Sequence, residues 1–138
     1  MFRDRALYGR VRPNHALNTD ARRLACFVRR HFSMSPVQHL RMELSRLTDV
    51  EQSPSQFGLH QNPAWSVSGR EFAHLHADDL LDLRLPRAIQ NALRTDPKAH
   101  FRNSTSDWLE FEFDTLEDVA HLVLLAREAC AAAREART

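Results

Sequence analysis

Strict alternation of apolar and polar residues marks three short stretches of this chain between Asn62 and Phe113. The alternating residues are F-A-H-L-H-A, L-D-L-R-L and W-L-E-F-E-F. A period of two is typical of half-buried β-strands, because successive side chains of a strand point to opposite faces of the sheet. The stretches therefore predict a sheet with one apolar face and one polar face.

The polar face carries residues that are suited to chemistry. Solvated sheet faces usually hold residues such as Thr, Lys and Ser, whereas here each run places two ionisable side chains on one face. These pairs are His74 with His76, Asp82 with Arg84, and Glu110 with Glu112. Two histidines that face acids and an arginine indicate a candidate site.

The loop between the first two runs decides which of these side chains lie opposite each other. A two-residue loop would set His76 against Leu81 and mix the polar and apolar faces. Because a slip of one residue exchanges the two faces of a strand, we predict a three-residue loop, residues 78–80. The facing pairs would then be His76 with Asp82 and His74 with Arg84.

Helix signals lie on both sides of this region. A first helix is predicted to begin after Asn18 or Thr19, and a second to run from Pro36, behind the N-cap Ser35, to about Leu47. Residues 48–61 contain Pro, Gly, Ser and Gln and are predicted to form a loop.

The remaining elements complete the predicted fold. A short helix follows Pro86, and Thr115 with Asp118 approximates a capping box at the start of the final helix. We predict an α+β two-layer sandwich, with a mainly antiparallel sheet of about four strands backed by helices. With 138 residues and 43% hydrophobic content, the chain is expected to form a single domain over residues 1–138. Two N-terminal helices are expected within a basic segment at residues 1–50.

Charge is distributed unevenly along the chain. Residues 1–50 hold ten arginines and four acids, a charge of +6, whereas residues 51–138 carry −5. Such a basic segment suits either docking on the acidic remainder of the molecule or binding to nucleic acid. The N-terminus is too charged for a signal peptide, and no apolar run approaches membrane-spanning length, so a cytoplasmic location without membrane contact is predicted.

Several chemistries are disfavoured by the motifs. The sequence has three glycines and none of the nucleotide-binding or nucleophile-elbow motifs, and it lacks C-x-x-C and H-E-x-x-H. The spacing in His74-Leu75-His76 could meet one metal, with a third oxygen ligand from Asp82 or a glutamate. A metal-free hydrogen bond between His76 and Asp82, or plain surface histidines, are the alternatives. We expect neither a metal nor a cofactor.

The order of these motifs resembles the luciferase-domain family, a group of small bacterial and fungal proteins. The similar residues are N-P-A-W-S-V-S-G-R-E-F-A-H-L-H, then L-D-L-R-L-P and S-D-W-L-E-F-E-F before a long helix, and the resemblance spans about residues 57–130. The family's hairpin usually turns through a glycine, whereas this chain has Asp78-Asp79. Fungal members oxygenate a hydroxylated pyrone without a known metal or flavin, and most bacterial members have no assigned activity. By resemblance, the family pattern includes Arg70, Phe72, His74, His76, Asp82, Arg84 and Trp108.

Two classes of function follow from these residues. The first is a small-molecule site on the polar sheet face, with an oxygenase-like or hydrolase-like activity that requires no cofactor. Its predicted catalytic residues are His74, His76 and Asp82, and its predicted substrate-binding residues are Arg84, Arg102, Trp65, Trp108 and Glu110. The second is a non-enzymatic module that uses the arginine-rich N-terminal helices to bind nucleic acid or a protein partner. A homo-oligomer is compatible with either class.

Overall fold

Three helices and six strands make up the part of the chain that the computed structural model describes, residues 33–57 and 62–136. In chain order they are α1 (Pro36–Ser45), β1 (Val50–Pro54), β2 (Pro63–Val67), β3 (Arg70–Ala77), β4 (Leu80–Arg84), α2 (Arg87–Ala92), β5 (Ala99–Phe101), β6 (Trp108–Glu112) and α3 (Leu116–Glu135). The helix predicted after Asn18 or Thr19 lies outside the described residues. The single-domain arrangement of residues 1–138 stays a prediction.

The strands form one antiparallel sheet in the order β1-β2-β3-β4-β6-β5. The α+β prediction is confirmed, but six strands are present where about four were predicted. The two additional strands lie at the edges of the sheet. β1 falls within the predicted loop 48–61, and four of its five residues are exposed. β5 has only three residues. Neither strand therefore shows a clear alternation of buried and exposed residues.

The turn between β3 and β4 differs from the prediction. Ala77 pairs with Leu80, so the loop contains two residues, Asp78 and Asp79, and not three. Next along the ladder, Leu75 pairs with Leu81, which leaves His76 as an extra residue in a β-bulge.

The bulge changes the predicted pairing but keeps the predicted faces. His74 pairs with Asp82, and the predicted pairs His76–Asp82 and His74–Arg84 do not form. A two-residue loop with one bulged residue leaves each side chain on the face that a three-residue loop would give it. The β4 partner of each β3 residue before the bulge is displaced by two positions from the predicted one. Since Asp82 also pairs with Glu110, His74, Asp82 and Glu110 share the predicted polar face.

The core lies on the opposite face of the sheet, where the strands pack against α1 and α3. Leu75, Leu81, Leu83, Leu109 and Phe111 are almost completely buried there. Both predicted capping signals are present, with Ser35 capping α1 and Thr115 capping α3. None of the helices described here combines the length and apolar character needed to cross a bilayer.

Candidate functional site

Asp82 lies at the centre of a charged cluster on the polar face of the sheet. Its position in the middle of β4, between β3 and β6, leaves the side chain fully buried. Oδ2 lies 2.8 Å from Nε2 of His74, and it accepts a hydrogen bond of 2.9 Å from Nη2 of Arg102. A third contact of 3.8 Å reaches Nδ1 of His76. A buried carboxylate requires such partners, because desolvation of an unpaired charge is very costly.

His74 is held between two carboxylates. Only 7% of its surface is exposed, and Nδ1 lies 3.0 Å from Oε1 of Glu71. Nδ1 has no aligned hydrogen bond in the described part of the chain, so the contact with Glu71 is an electrostatic one. Both ring nitrogens of His74 are therefore next to protein acids. Only a doubly protonated imidazolium could donate from both nitrogens.

Glu71 belongs to this cluster although the alternation does not predict it. In a regular strand, residues 71 and 74 would point to opposite faces. However, Trp65 pairs with Ala73 and Ser66 pairs with Glu71, so Phe72 is the extra residue of a second bulge in β3. This bulge turns Glu71 to the side of His74. No feature of the sequence indicates the bulge.

The carboxylate of Glu71 is fixed by the chain that follows β1. Oε1 accepts a 2.7 Å hydrogen bond from the hydroxyl of Ser55, and Oε2 accepts one of 3.1 Å from the backbone N–H of Gln56. The next residue, Phe57, stacks on the ring of His74 at a centroid distance of 6.1 Å. Phe57 is a second residue of the cluster that the sequence did not indicate, because it lies in the predicted loop 48–61.

Trp108 and Arg84 close the cluster on the side of β6. The Trp108 ring lies 4.7 Å from the His74 ring and 5.3 Å from Phe57. Arg84 places its guanidinium carbon 5.1 Å from the centre of the Trp108 ring and 5.7 Å from that of Phe57. Such contacts between a cation and aromatic faces are favourable and fix the orientation of the guanidinium. The rings of Phe57 and Trp108 thus pack beside His74, and the guanidinium of Arg84 packs against both of these rings.

Trp65 lies elsewhere. It is fully buried on the core face of β2, and its indole N–H donates a 3.1 Å hydrogen bond to the hydroxyl of Ser45 at the end of α1. The structure therefore does not bring Trp65 to the predicted site. Trp65 pairs with Ala73, and directly paired residues point to the same face of a sheet. Because Ala73 lies on the apolar face, Trp65 lies there too.

His76 is the accessible imidazole of the cluster. As the bulged residue of β3, it has no partner in the ladder, and 57% of its side chain is exposed. Nδ1 faces Oδ2 of Asp82 at 3.8 Å and Oε2 of Glu110 at 4.0 Å. Acids therefore lie behind this ring while part of the imidazole reaches solvent. The two histidines have different surroundings, although the sequence places them only two residues apart.

His76, Asp82 and Glu110 also form a possible set of metal ligands. One ligand atom from each lies within 4.8 Å of the others. A protein cation is already present among these atoms, because Nη2 of Arg102 lies 2.9 Å from Asp82 and 3.7 Å from Glu110. The guanidinium offsets one of the two carboxylate charges that would otherwise attract a metal ion. The arrangement suits acid–base chemistry better than metal binding.

The comparison with known proteins follows the same part of the chain. Residues 69–129 match the family model of the luciferase domain, which confirms the predicted resemblance. The match covers β3 to β6 and most of α3. It therefore includes the residues of the cluster His74, His76, Asp82, Arg102 and Glu110. No curated protein and no solved structure matches the chain.

Proposed function

From the match of residues 69–129 to the luciferase-domain family model, we propose that the polar sheet face binds a small molecule and performs acid–base chemistry on it. The observation that carries this proposal is the position of His76, an exposed imidazole backed by Asp82 and Glu110. Histidine is suited to a general base because its ordinary pKa lies near neutrality.

The proposed roles differ from residue to residue. His76 accepts a proton from an O–H group of the ligand, and Asp82 and Glu110 orient the ring. Arg102 is 44% exposed and uses Nη2 for Asp82, so its other donors support the oxyanion that remains on the ligand. His74 is a positioning residue, since protein acids face both of its nitrogens and leave neither for a ligand.

Two reactions can follow from this proton transfer. Removal of a proton from a hydroxylated ring gives an electron-rich anion that can react with oxygen, as in the oxygenation that fungal luciferase-domain proteins perform. Removal of a proton from water gives a hydroxide equivalent for hydrolysis. Both begin with an O–H proton that moves to His76, and neither requires a cofactor at this step. We propose the oxygenase-like reaction first, because of the family match, and the hydrolase-like reaction second.

The test is a panel of hydroxylated pyrones and related heteroaromatic compounds, with oxygen uptake and binding by calorimetry as readouts. His76→Ala is expected to lower the rate for any active compound by about 100-fold, the usual contribution of a general base. His121→Ala is the matched control, because His121 is also an exposed histidine paired with an acid, Asp96, but lies on α3. Unchanged rates and affinities in His76→Ala would contradict the proposal.

The alternative module, in which residues 1–50 bind nucleic acid or a protein partner, stays a prediction. Most of its arginines, including Arg22, Arg23, Arg29 and Arg30, lie outside the described residues. Binding to nucleic acid would weaken steeply with salt, because each neutralised phosphate releases counterions. Substitution of these four arginines by alanine would reduce that dependence.

A further inference from the structure

A second charged region lies where β3, β4 and the start of α2 meet. A cavity of about 170 Å³ is lined there by three arginines, Arg70, Arg84 and Arg87, and by a single acid, Asp107. Gln90 and alanines of α3 complete its wall. The lining groups therefore carry two net positive charges in the described part of the chain. None of the groups proposed for acid–base chemistry lines this cavity.

The arginines of this cavity lack adequate protein partners. The Nε atoms of Arg70 and Arg84 are buried, and neither makes a hydrogen bond within residues 33–57 and 62–136. Arg84 has one hydrogen bond of 3.4 Å, from Nη1 to the backbone oxygen of Glu71, and Asp107 lies at 4.0 Å from Nε. Buried polar groups are almost always hydrogen-bonded, so unpaired donors on two neighbouring cations require an explanation.

The charges of Arg70 and Arg84 also oppose each other. Burial, and then the neighbouring charge of Arg70, lower the pKa of the Arg84 guanidinium from its ordinary value. The nearest buried acid, Glu71, is already occupied by Ser55, Gln56 and His74. Asp107 is largely exposed. The protein thus places two guanidinium groups close together, and the charges of Asp107 and Glu71 offset the effect on Arg84 only in part.

Arg84 is nevertheless held in a defined orientation. Its guanidinium lies against the rings of Phe57 and Trp108, as described above. Arg70 and Arg84 also line a neighbouring cavity of about 220 Å³ with Gln56, Phe57 and the acid Glu71, so that open space adjoins both arginine side chains. Oriented guanidinium donors that face a cavity match the geometry of an oxyanion, which accepts two parallel N–H bonds from one arginine.

We propose that Arg70, Arg84 and Arg87 form a binding site for an oxyanion, a phosphate group of a small molecule or free phosphate. Two negative charges would balance the net charge of the lining, and the oxygens would accept hydrogen bonds from the guanidinium N–H groups of Arg70 and Arg84 that reach the cavity. Arg70 and Arg84 hold the anion directly, and Arg87, which is exposed at the entrance, adds long-range attraction. This proposal does not depend on His76 or on any reaction at the polar sheet face.

The test is calorimetric titration of the full chain with inorganic phosphate at constant ionic strength in chloride buffer. Constant ionic strength separates specific binding from general screening of surface charge. We expect saturable binding that weakens at least about tenfold in Arg70→Ala, the loss typical of a charge-assisted hydrogen bond. Arg127→Ala, which removes an exposed arginine of α3 outside both cavities, is the matched control and should bind phosphate like the unaltered protein.

Two further variants keep the test decisive if Arg70→Ala does not fold. Arg70→Lys retains the charge but not the planar set of donors, and Arg87→Ala changes only an exposed residue, so both should fold and bind phosphate more weakly. Parallel titrations with a phosphorylated sugar would show whether a phosphate group is preferred to the free ion. Absence of saturable phosphate binding by the unaltered protein would overturn the proposal, as would equal affinity in all the variants.

Discussion

Individual residues of the charged cluster differ in their burial and in their contacts. Asp82 is completely buried and contacts His74, His76 and Arg102, and its Oδ1 atom has no hydrogen-bond partner within the described residues. Its charge is therefore compensated only by the few neighbours around Oδ2. His74 provides one of these contacts from a buried position, whereas His76 provides a longer one from the surface. Two histidines of the same motif should respond differently to the same substitution.

His74→Ala is expected to lower the free energy of unfolding by about 3 kcal/mol, because it removes the buried neighbour of two carboxylates. His76→Ala should change it by no more than about 0.5 kcal/mol, since a mostly exposed side chain is lost. Urea denaturation of both variants at neutral pH measures the difference. Similar small effects of both substitutions would show that the buried contacts of His74 do not stabilise the fold.

The same cluster leads to an expectation for metals. We expect elemental analysis of the purified chain to find no stoichiometric zinc or iron, because the cation Arg102 already lies next to Asp82 and Glu110. Arg102→Ala should expose these ligands together with His76 and permit zinc binding. Arg94→Ala, which removes an exposed arginine that contacts Asn91, is the control. A full equivalent of metal in the unaltered protein would contradict this expectation.

Alternation along single strands predicted the polar face correctly for His74, Asp82 and Glu110, because parity is a local property of a strand. It could not predict Glu71, whose side chain reaches that face only through the bulge at Phe72. A bulge results from the way two strands pair, and its position is therefore set by the fold as a whole. Phe57 was missed for a similar reason, since its contact with His74 joins segments that are distant in sequence.

At the scale of elements, the helices whose ends are defined by local signals were the most predictable. Ser35 with Gln38 and Thr115 with Asp118 form capping boxes, and Pro36 occupies the first turn of α1, so these signals lie within a few residues of sequence. The edge strands were not predictable in this way. β1 and β5 are short and mostly exposed, and they are strands because β2 and β6 offer them unpaired backbone groups. Such pairing cannot be inferred from the residues of the edge strand alone.

The N-terminus of α3 has an acid-sensitive contact. A 2.5 Å hydrogen bond from Nζ of Lys98, together with backbone N–H groups of Asp114 and Thr115, holds the pKa of Asp118 well below its ordinary value of 3.8. The folded protein binds this proton more weakly than the unfolded chain does. The resulting stabilisation is therefore present above pH 3.8 and is lost as the pH falls below that value.

We expect Asp118→Asn to destabilise the protein at neutral pH, and its difference from the unaltered chain to shrink progressively below about pH 4. Unfolding by urea over a series of pH values measures this difference. Glu117→Gln, which alters the neighbouring acid in the same turn, is the matched control and should show a smaller pH dependence. A difference that stays constant down to the lowest pH would exclude Asp118 as the source.

At the scale of the whole molecule, the described helices α1 and α3 pack on one face of the sheet, and the charged cluster lies on the other. The apolar core and the candidate site are therefore separated by the thickness of a single sheet. Asp82, His74 and Glu71 are exceptions, because these buried residues of central strands contribute to the site. Most of the other groups, including His76 and Arg102, could change without any change in the core.

The bulge at His76 has an evolutionary consequence. Because His76 has no partner in the ladder, a single-codon deletion of this residue would join Leu75 and Ala77 while both keep their partners on β4. A lineage could thus lose the accessible imidazole in one genetic event and retain the fold. We expect the free energy of unfolding of the deletion variant to lie within about 1 kcal/mol of that of the unaltered chain, as measured by urea denaturation. The variant should also lack the activity proposed for His76, as measured by oxygen uptake. Deletion of Leu75 would instead place an imidazole in the core and should be strongly destabilising, so equal stabilities would contradict this view.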